Sequence, residues 1–437
     1  MPFQFMLFGI VFVVLFFNYA NKLTMDWRRL KPHTFTKRLF TTALLIRIVY
    51  VVFIYFYYIE MTGVPHAYYP ADELLYEFVG PRLIEFGFGQ YGGFLKSCGI
   101  GFSDSGYCWW LGIENVLLGT HVLPKRLVKC IIDAFSCVLI YNLAERNFGE
   151  STGRIAAIFC MLMPNMWYYC GITLKETEMV FMTILFAERA DLAVHSKEIT
   201  IKSLLFPGLV ALAMFTFRTA LAAVLIAALV AALLLSSGKQ LELWKKVLYT
   251  SVFAIWMFLT VGVEMIQETQ QLWEGRNQNQ SVGYEWRASR AGGNSFAKYA
   301  SASVFAPLIF TIPFSTLVDV SGQENQMLLH GGNFIKNIMS GFTILALFLL
   351  LVRGDWRKHV LPIAVMCGYL VVLVFSNFAH SERFHFPVLA LELMFAAYGV
   401  SQLTNKYKRW YTLWLIGISV ANIGWAWIKL AGRGYSV

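Results

Sequence analysis

The sequence predicts an all-α polytopic membrane protein with about 12 transmembrane helices and with interfacial helices in two long outer loops. Composition is the first reason. Of 437 residues, 57% are hydrophobic and 14% are charged, against about 25% charged in a soluble domain. The mean hydropathy is +0.57. Pattern is the second reason. Apolar runs of about 17 to 25 residues recur along the chain, and each can span about 30 Å of hydrocarbon as a helix. A β-barrel would instead show short alternating strands. Charge placement is the third. The net charge of +10 collects in loops, where it fixes topology and argues against a nucleic-acid partner.

Twelve runs qualify as spans: 3–20, 39–59, 127–144, 154–171, 176–193, 203–217, 219–236, 246–264, 337–352, 359–379, 386–402 and 410–430. The first lacks a basic leading segment. Bulky Phe17, Asn18 and Tyr19 stand where a cleavage site needs small residues, so this run is expected to stay as a span. The apolar stretch 206–235 is too long for one crossing. It is broken at Thr216-Phe217-Arg218-Thr219, where its one charge falls. With this count, 19 basic loop residues lie on one side, from Lys22 and Arg28 to Lys408 and Arg409. The short loops on the other side hold little beyond Lys175, Arg218 and Arg383. The basic side is therefore expected in the cytoplasm, with both termini outside. The organisation that follows is an extra span and basic loop at 1–38, a core at 39–404, and a final span with an outer end at 405–437.

The outer loops, 60–126 and 265–336, are not linkers. The first holds apolar, aromatic-rich stretches at 77–88 and 109–119, expected as helices lying on the membrane. The second is polar over 267–295 and apolar over 302–317, with Pro307 and Pro313. Its apolar part is expected to be re-entrant or surface-lying. Among seven cysteines, Cys130, Cys137, Cys160, Cys170 and Cys367 lie in apolar runs and are expected as small core hydrophobes. Cys98 and Cys108 share one outer loop, where a disulfide can form.

In this topology four polar sites share the outer face. Asp72 and Glu73 stand in Tyr68-Tyr69-Pro70-Ala71-Asp72-Glu73-Leu74-Leu75-Tyr76. Lys175-Glu176-Thr177-Glu178 opens the fifth span, Arg218 marks the break between the sixth and seventh, and His380-Ser381-Glu382-Arg383-Phe384-His385-Phe386-Pro387 joins the tenth and eleventh. Each has a plain structural alternative. Acids favour a helix's first turn, lysine snorkels at an interface, and an arginine can sit in a turn. Together they offer carboxylates for base chemistry and cations for an anion, a combination that suits a phosphate-bearing substrate. Arg47 and Asp133 lie within the second and third spans and are expected to pair with each other or with backbone inside the bundle. Glu264 and Glu268 begin the second outer loop and either lie at the interface or join the site.

These residues carry a resemblance. The chain resembles the GT-C superfamily of membrane glycosyltransferases, and in particular family 39-type members such as aminoarabinose lipid A transferases and protein O-mannosyltransferases. Leu44-Leu45-Ile46-Arg47-Ile48 looks like the arginine-bearing first core span, and Asp72-Glu73-Leu74-Leu75-Tyr76 like the first-loop acidic motif. Ala144-Glu145-Arg146-Asn147-Phe148-Gly149 is similar to the third-span exit. Met163-Pro164-Asn165 and Leu174-Lys175-Glu176 look like the proline and the basic-acidic pair that follow it. Phe217-Arg218-Thr219 stands at the usual break, without its proline, and Glu382-Arg383-Phe384-His385-Phe386-Pro387 is similar to the late arginine segment. The likeness covers about residues 39–400. The extra first span and the polar second loop depart from it.

The resemblance implies a transferase that takes a sugar from a polyprenyl-phosphate-linked donor and passes it, with inversion, to an acceptor hydroxyl on the outer face. The acceptor would be a glycolipid, a polysaccharide or a protein. The setting implied is a bacterial cytoplasmic membrane with the site facing the periplasm. Asp72 would be the general base and Glu73 its support. Lys175, Arg218 and Arg383 would hold the donor phosphate, with Glu176, Tyr76, His380 and His385 beside them. Some superfamily members use a divalent metal and others do not. Asp72, Glu73 and Glu176 are the carboxylates that would supply oxygens to Mg or Mn. Two other readings compete. A lipid-linked oligosaccharide polymerase or ligase would use the same face with a larger donor. A transporter or flippase would need a polar path through the bilayer, for which Arg47 and Asp133 offer two steps.

Overall fold

The computed structural model describes residues 3–67, 71–196, 200–236, 307–315, 327–375 and 381–431. Those residues form helices and no strands. In chain order they are α1 (Phe3–Trp27), α2 (Pro32–Thr62), α3 (Ala71–Val79), α4 (Arg82–Ser97), α5 (Phe102–Leu118), α6 (Val122–Phe148), α7 (Glu150–Leu162), α8 (Pro164–Cys170), α9 (Glu176–Val194), α10 (Ile201–Phe215) and α11 (Thr219–Leu235). After the short segment 307–315 come α12 (Met327–Arg353), a 3-10 turn (Asp355–His359), α13 (Val360–Val374), α14 (Glu382–Ser401) and α15 (Asn405–Ala431). Among the described residues, six helical stretches are long and apolar enough to cross a membrane: Leu7–Trp27, Pro32–Thr62, Val122–Phe148, Met327–Arg353, Asp355–Val374 and Glu382–Ser401.

The boundaries follow from local chemistry. Pro32 opens α2, where its missing N–H costs nothing, and Gly63 closes it in a left-handed conformation with its N–H on the Ile59 carbonyl at 2.9 Å. The run expected as one span over 154–171 is two helices. Met163 is extended, as a residue before proline prefers, so α7 stops and α8 restarts at Pro164. The long run 206–235 breaks where its charge falls. Arg218 is extended at φ −164° and ψ 102° and is the N-cap residue of α11.

Helix α6 is the hub, packed against α2, α7 and α9. Helix α14 packs on α12, α7, α9 and α13, and α11 packs on α13. The first span is not detached, since α1 lies against α12 and α7. Gly332 is where α12 closes on α8. A Cβ there would stand 1.8 Å from Asn165 Oδ1. Arg47 and Asp133 pair at the α2–α6 contact, both fully buried. Arg47 also donates to the Ala43 carbonyl at 3.1 Å and to the Met161 and Cys160 carbonyls at 3.4 Å. Arg47 thus bonds Asp133 on α6 and backbone carbonyls on α2 and α7, and so ties three helices together.

The first long loop, 60–126, holds α3, α4 and α5. Leu74, Phe78, Ile84, Phe88 and Leu117 on them are exposed, which is the amphipathic character expected of interfacial helices. Of the second long loop, 265–336, residues 307–315 and 327–336 are described, and 307–315 is pinned against α12 and α15. Asn337 Nδ2 donates to the Pro313 carbonyl at 2.9 Å, Lys336 Nζ to the Ile312 carbonyl at 3.0 Å, and the Ser315 N–H to Asn422 Oδ1 at 2.7 Å. Thr311, Ile312 and Ser315 are buried, so this piece is enclosed by protein. Helix α12 begins ten residues before the expected span 337–352. Cys98 and Cys108 are both free thiols, Cys108 fully buried. The expected span 246–264, the polar stretch 267–295, Glu264, Glu268 and His380 lie outside the described residues.

The Arg47–Asp133 pair yields a stability prediction. Asp133→Ala leaves a buried guanidinium without its counter-ion, which costs roughly 3–5 kcal/mol. Its melting temperature in detergent should fall sharply. The double variant Arg47→Met with Asp133→Leu should recover most of the loss, and equal loss in both would contradict a pairing role.

Candidate functional site

Four helix N-termini converge at one end of the bundle. Asp72 and Glu73 stand in the first turn of α3, Glu176 and Glu178 in that of α9, and Glu382 in that of α14, while Arg218 caps α11. Helix starts carry partial positive charge and unpaired N–H groups, so they favour anions.

Arg383 links three of these ends. Its Nη1 donates to Asp72 Oδ2 and its Nε to Glu176 Oε1. The α14 start that carries it is fixed by its neighbour, because Glu382 accepts from Asn165 Nδ2 at 3.0 Å and from Tyr169 Oη at 2.7 Å. Arg218 donates to Tyr369 Oη at 3.2 Å, and its guanidinium lies 4.2 Å from the Phe384 ring centroid. Lys175 donates to Asp104 Oδ1, to the Ser103 carbonyl at 3.0 Å and to the Phe217 carbonyl at 2.5 Å. Tyr76 Oη also donates to Asp104 Oδ1, at 3.2 Å. Asp72, Tyr76, Lys175, Glu176, Arg218 and Arg383 thus belong to one cluster, in which Asp72 and Asp104 are the exposed carboxylates at 55% and 42%. Burial holds the Lys175 ammonium below the usual lysine range, against the pull of Asp104. Burial and then the Asp104 charge push the Tyr76 phenol above its usual range.

Asp104 has the weakest signal in the sequence of all these residues. Its one trace is a first-turn acid at the start of α5. It reaches Lys175 because α5 approaches the α10–α11 break closely. The Gly106 N–H donates to the Thr216 carbonyl at 2.9 Å, and a Cβ on Gly106 would lie 2.0 Å from Thr216 Oγ1.

Glu73 sits elsewhere. It is 3% exposed and faces away from Arg383. It accepts from Arg126 Nη2 at 3.3 Å, the Thr173 N–H at 2.5 Å and the Ala67 N–H at 3.1 Å. It fastens the loops before α3 and before α9 to α6. His385 is also apart, buried with its Nδ1 3.0 Å from Lys336 Nζ. Asp72 and Glu176 converge on the Arg383 guanidinium and Glu73 points to Arg126, so the three carboxylates do not form one ligand set. Among the described residues, no group of three or more His, Cys, Asp or Glu could hold a metal ion. A Mg or Mn site built from these three residues does not fit the geometry.

A second charged network, which the sequence reading missed, braces the site from behind. Lys125, Arg126 and Lys129 on α6 are buried. Lys125 meets Glu77 Oε2 at 2.9 Å and Asn115 Oδ1 at 3.2 Å, and Lys129 donates to the Ile172 carbonyl at 2.9 Å and lies 3.7 Å from Glu178. Glu114 on α5 faces this network. Burial, then repulsion from Glu178, raises its carboxyl to about 8.

Residues 106–263 match the sequence model of the dolichyl-phosphate-mannose-protein mannosyltransferase family, and residues 324–431 match that of the Alg9-like mannosyltransferase family. Both families are membrane glycosyltransferases of the GT-C fold. No curated protein and no solved structure matches the chain. Neither stretch spans half of the chain; together they show that two separate parts of this helical membrane protein are similar to membrane glycosyltransferases. The likeness to the GT-C superfamily read from short motifs rests also on these two longer matches.

Two predictions test the network behind the site. Glu73→Gln should lower folded yield and melting temperature, because a buried carboxylate accepting from Arg126 is lost and the guanidinium is left underpaired. A variant with normal stability would contradict the anchoring role. The second concerns pH. Glu114 titrates at about 8 when folded, against about 4.5 for an unperturbed glutamate. The folded state binds the extra proton, so this group favours folding fully below its unfolded value, and that contribution is lost as pH rises toward the folded value. Glu114→Gln should raise the melting temperature at pH 8.5 by several degrees and leave it nearly unchanged at pH 5. An equal shift at both values would contradict the buried, raised carboxyl.

Proposed function

We propose that this protein transfers a sugar from a polyprenyl-phosphate-linked donor to an acceptor hydroxyl, with inversion, at a site on the outer face of the membrane. The observation that carries the reading is the convergence of Arg383, Lys175 and Arg218 with the exposed Asp72 at four helix starts. In the reaction, the acceptor oxygen attacks the anomeric carbon and its proton passes to Asp72. The bond between that carbon and the phosphate oxygen breaks, and the electron pair leaves with the polyprenyl phosphate. A phosphodiester with one negative charge becomes a phosphomonoester with a second charge developing. Cations and helix N-termini aimed at that group stabilise the charge as it appears. Arg383 offers a fork to phosphate oxygens, Lys175 a point charge. A carboxylate on the opposite side of the anomeric carbon suits a single displacement with inversion, and Asp72 is the exposed one beside Arg383.

The printed descriptions of the two matched families support a mannose-type sugar and a lipid-linked donor. The asymmetry of loop charge supports cytoplasmic basic loops, outer termini and a site outside the cytoplasm. In this reading the membrane is crossed about twelve times and α3, α4 and α5 lie at its outer surface. The acceptor is a glycolipid, a polysaccharide or a protein.

Asp72→Asn should reduce sugar transfer in a membrane assay with a polyprenyl-phosphate-mannose donor by at least about 100-fold, the usual scale for loss of a general base. Yield and melting temperature should hold, because Asp72 is exposed. Full transfer by that variant would remove Asp72 as the base.

A further inference from the structure

The two contacts of Arg383 differ in strength. Glu176 is fully buried, and its second oxygen, Oε2, has no hydrogen-bond partner among the described residues. Taking Arg383 away from Glu176 would strand a buried carboxylate, which is costly. The other contact faces solvent, since the Asp72 side chain is 55% exposed. Ion pairs of that kind are weak and easily given up. Arg383 is therefore anchored at Nε and able to exchange partners at Nη1. A carboxylate held on a guanidinium is also a poor base, because its charge is neutralised and a lone pair is engaged.

We infer that Asp72 and the donor phosphate compete for the Nη1 edge of Arg383, so that donor binding uncovers the base. This rests on the phosphate-binding reading above and adds an order to it. Without donor, Asp72 is masked. An arriving phosphate brings several acceptor oxygens to an edge already fixed by Glu176, with Lys175 and Arg218 nearby to share its charge. Asp72 is then displaced and free to take a proton. The arrangement keeps the base from activating water or acceptor before a donor is seated. Glu176 acts here as a positioning residue, since it holds the guanidinium in place while the exposed edge changes partner.

The test is a binding cycle on the full-length protein in detergent, with farnesyl phosphate as the probe and affinity read by microscale thermophoresis. Asp72→Asn should bind farnesyl phosphate roughly twofold to fivefold more tightly than wild type, the range expected when a weak competing ion pair is removed. Arg383→Gln should bind more weakly, and adding Asp72→Asn to it should change nothing further. Equal tightening by Asp72→Asn with and without Arg383 would mean simple repulsion through space, and the competition would be disproved. No tightening in the single variant would disprove it too. Inorganic phosphate, as a second arm, should bind more weakly and show the same Asp72 effect. Equal affinity for both probes, or no binding of farnesyl phosphate to wild type, would instead overturn the lipid-phosphate donor reading itself.

Discussion

Arg383 anchors the start of α14 to that of α9 through the buried Glu176 and reaches the start of α3 through the exposed Asp72, so three helix ends meet around one guanidinium. Each element arrives by a separate route. Helix α14 is set by Glu382 on Asn165 and Tyr169, α9 follows the turn that Glu73 fastens at Thr173, and α3 leaves the loop that Glu73 fastens at Ala67. A guanidinium suits the junction because its planar fork meets two carboxylates in fixed directions, which an ammonium would not do. Without a cation at that point, two carboxylates at converging helix ends would repel each other.

The adjacent acids Asp72 and Glu73 illustrate how a helix divides work between neighbours. Successive residues on a helix point about 100° apart, so one faces the open end of the bundle and the other its interior. Asp72 is exposed and meets a cation that is itself part of the site. Glu73 is buried and engages Arg126 and two backbone N–H groups. One position therefore tolerates a change of partner and the other does not. On α9 both acids are buried, and they differ only in partner, Glu176 facing Arg383 and Glu178 facing Lys129.

Much of this was legible in the sequence, and the limits have physical causes. Apolar runs gave most of the helices, because hydrocarbon demands long unbroken stretches, and the charge at Arg218 marked one break, whereas the break at Pro164 was read as continuous span. Asp72, Lys175, Glu176, Arg218 and Arg383 stood out because charge at a span edge needs a reason. Asp104 did not, since an acid in a helix's first turn is ordinary and only the close packing at Gly106 gives it a partner. Tyr369 was hidden because an aromatic in an apolar helix reads as core until its hydroxyl is seen on Arg218. The separation of Glu73 from Asp72 needs the third dimension, because adjacency in sequence says nothing about which side chain is buried.

The network of buried Lys125, Arg126, Lys129, Glu114 and Glu178 with the half-buried Glu77 bears on how the site can work at all. Removing charges from water is costly, and pairing them seldom returns more than that cost. A purely apolar interface between α5, α6 and α9 would hold at least as well. What charged pairs add is directionality, since each fixes one side chain against one partner. Helices α3 and α5 carry the two exposed carboxylates of the cluster, and both are loop elements with few bundle contacts of their own. Lys125 on Glu77 fixes α3, Lys125 on Asn115 fixes α5, and Lys129 on the Ile172 carbonyl fixes the turn before Lys175. A site that stabilises charge as it develops needs its donors in place beforehand, because donors that must reorganise during the reaction lose most of their effect. The buried charges thus fit a role in holding the short helices α3 and α5 to the tolerance that such a site requires.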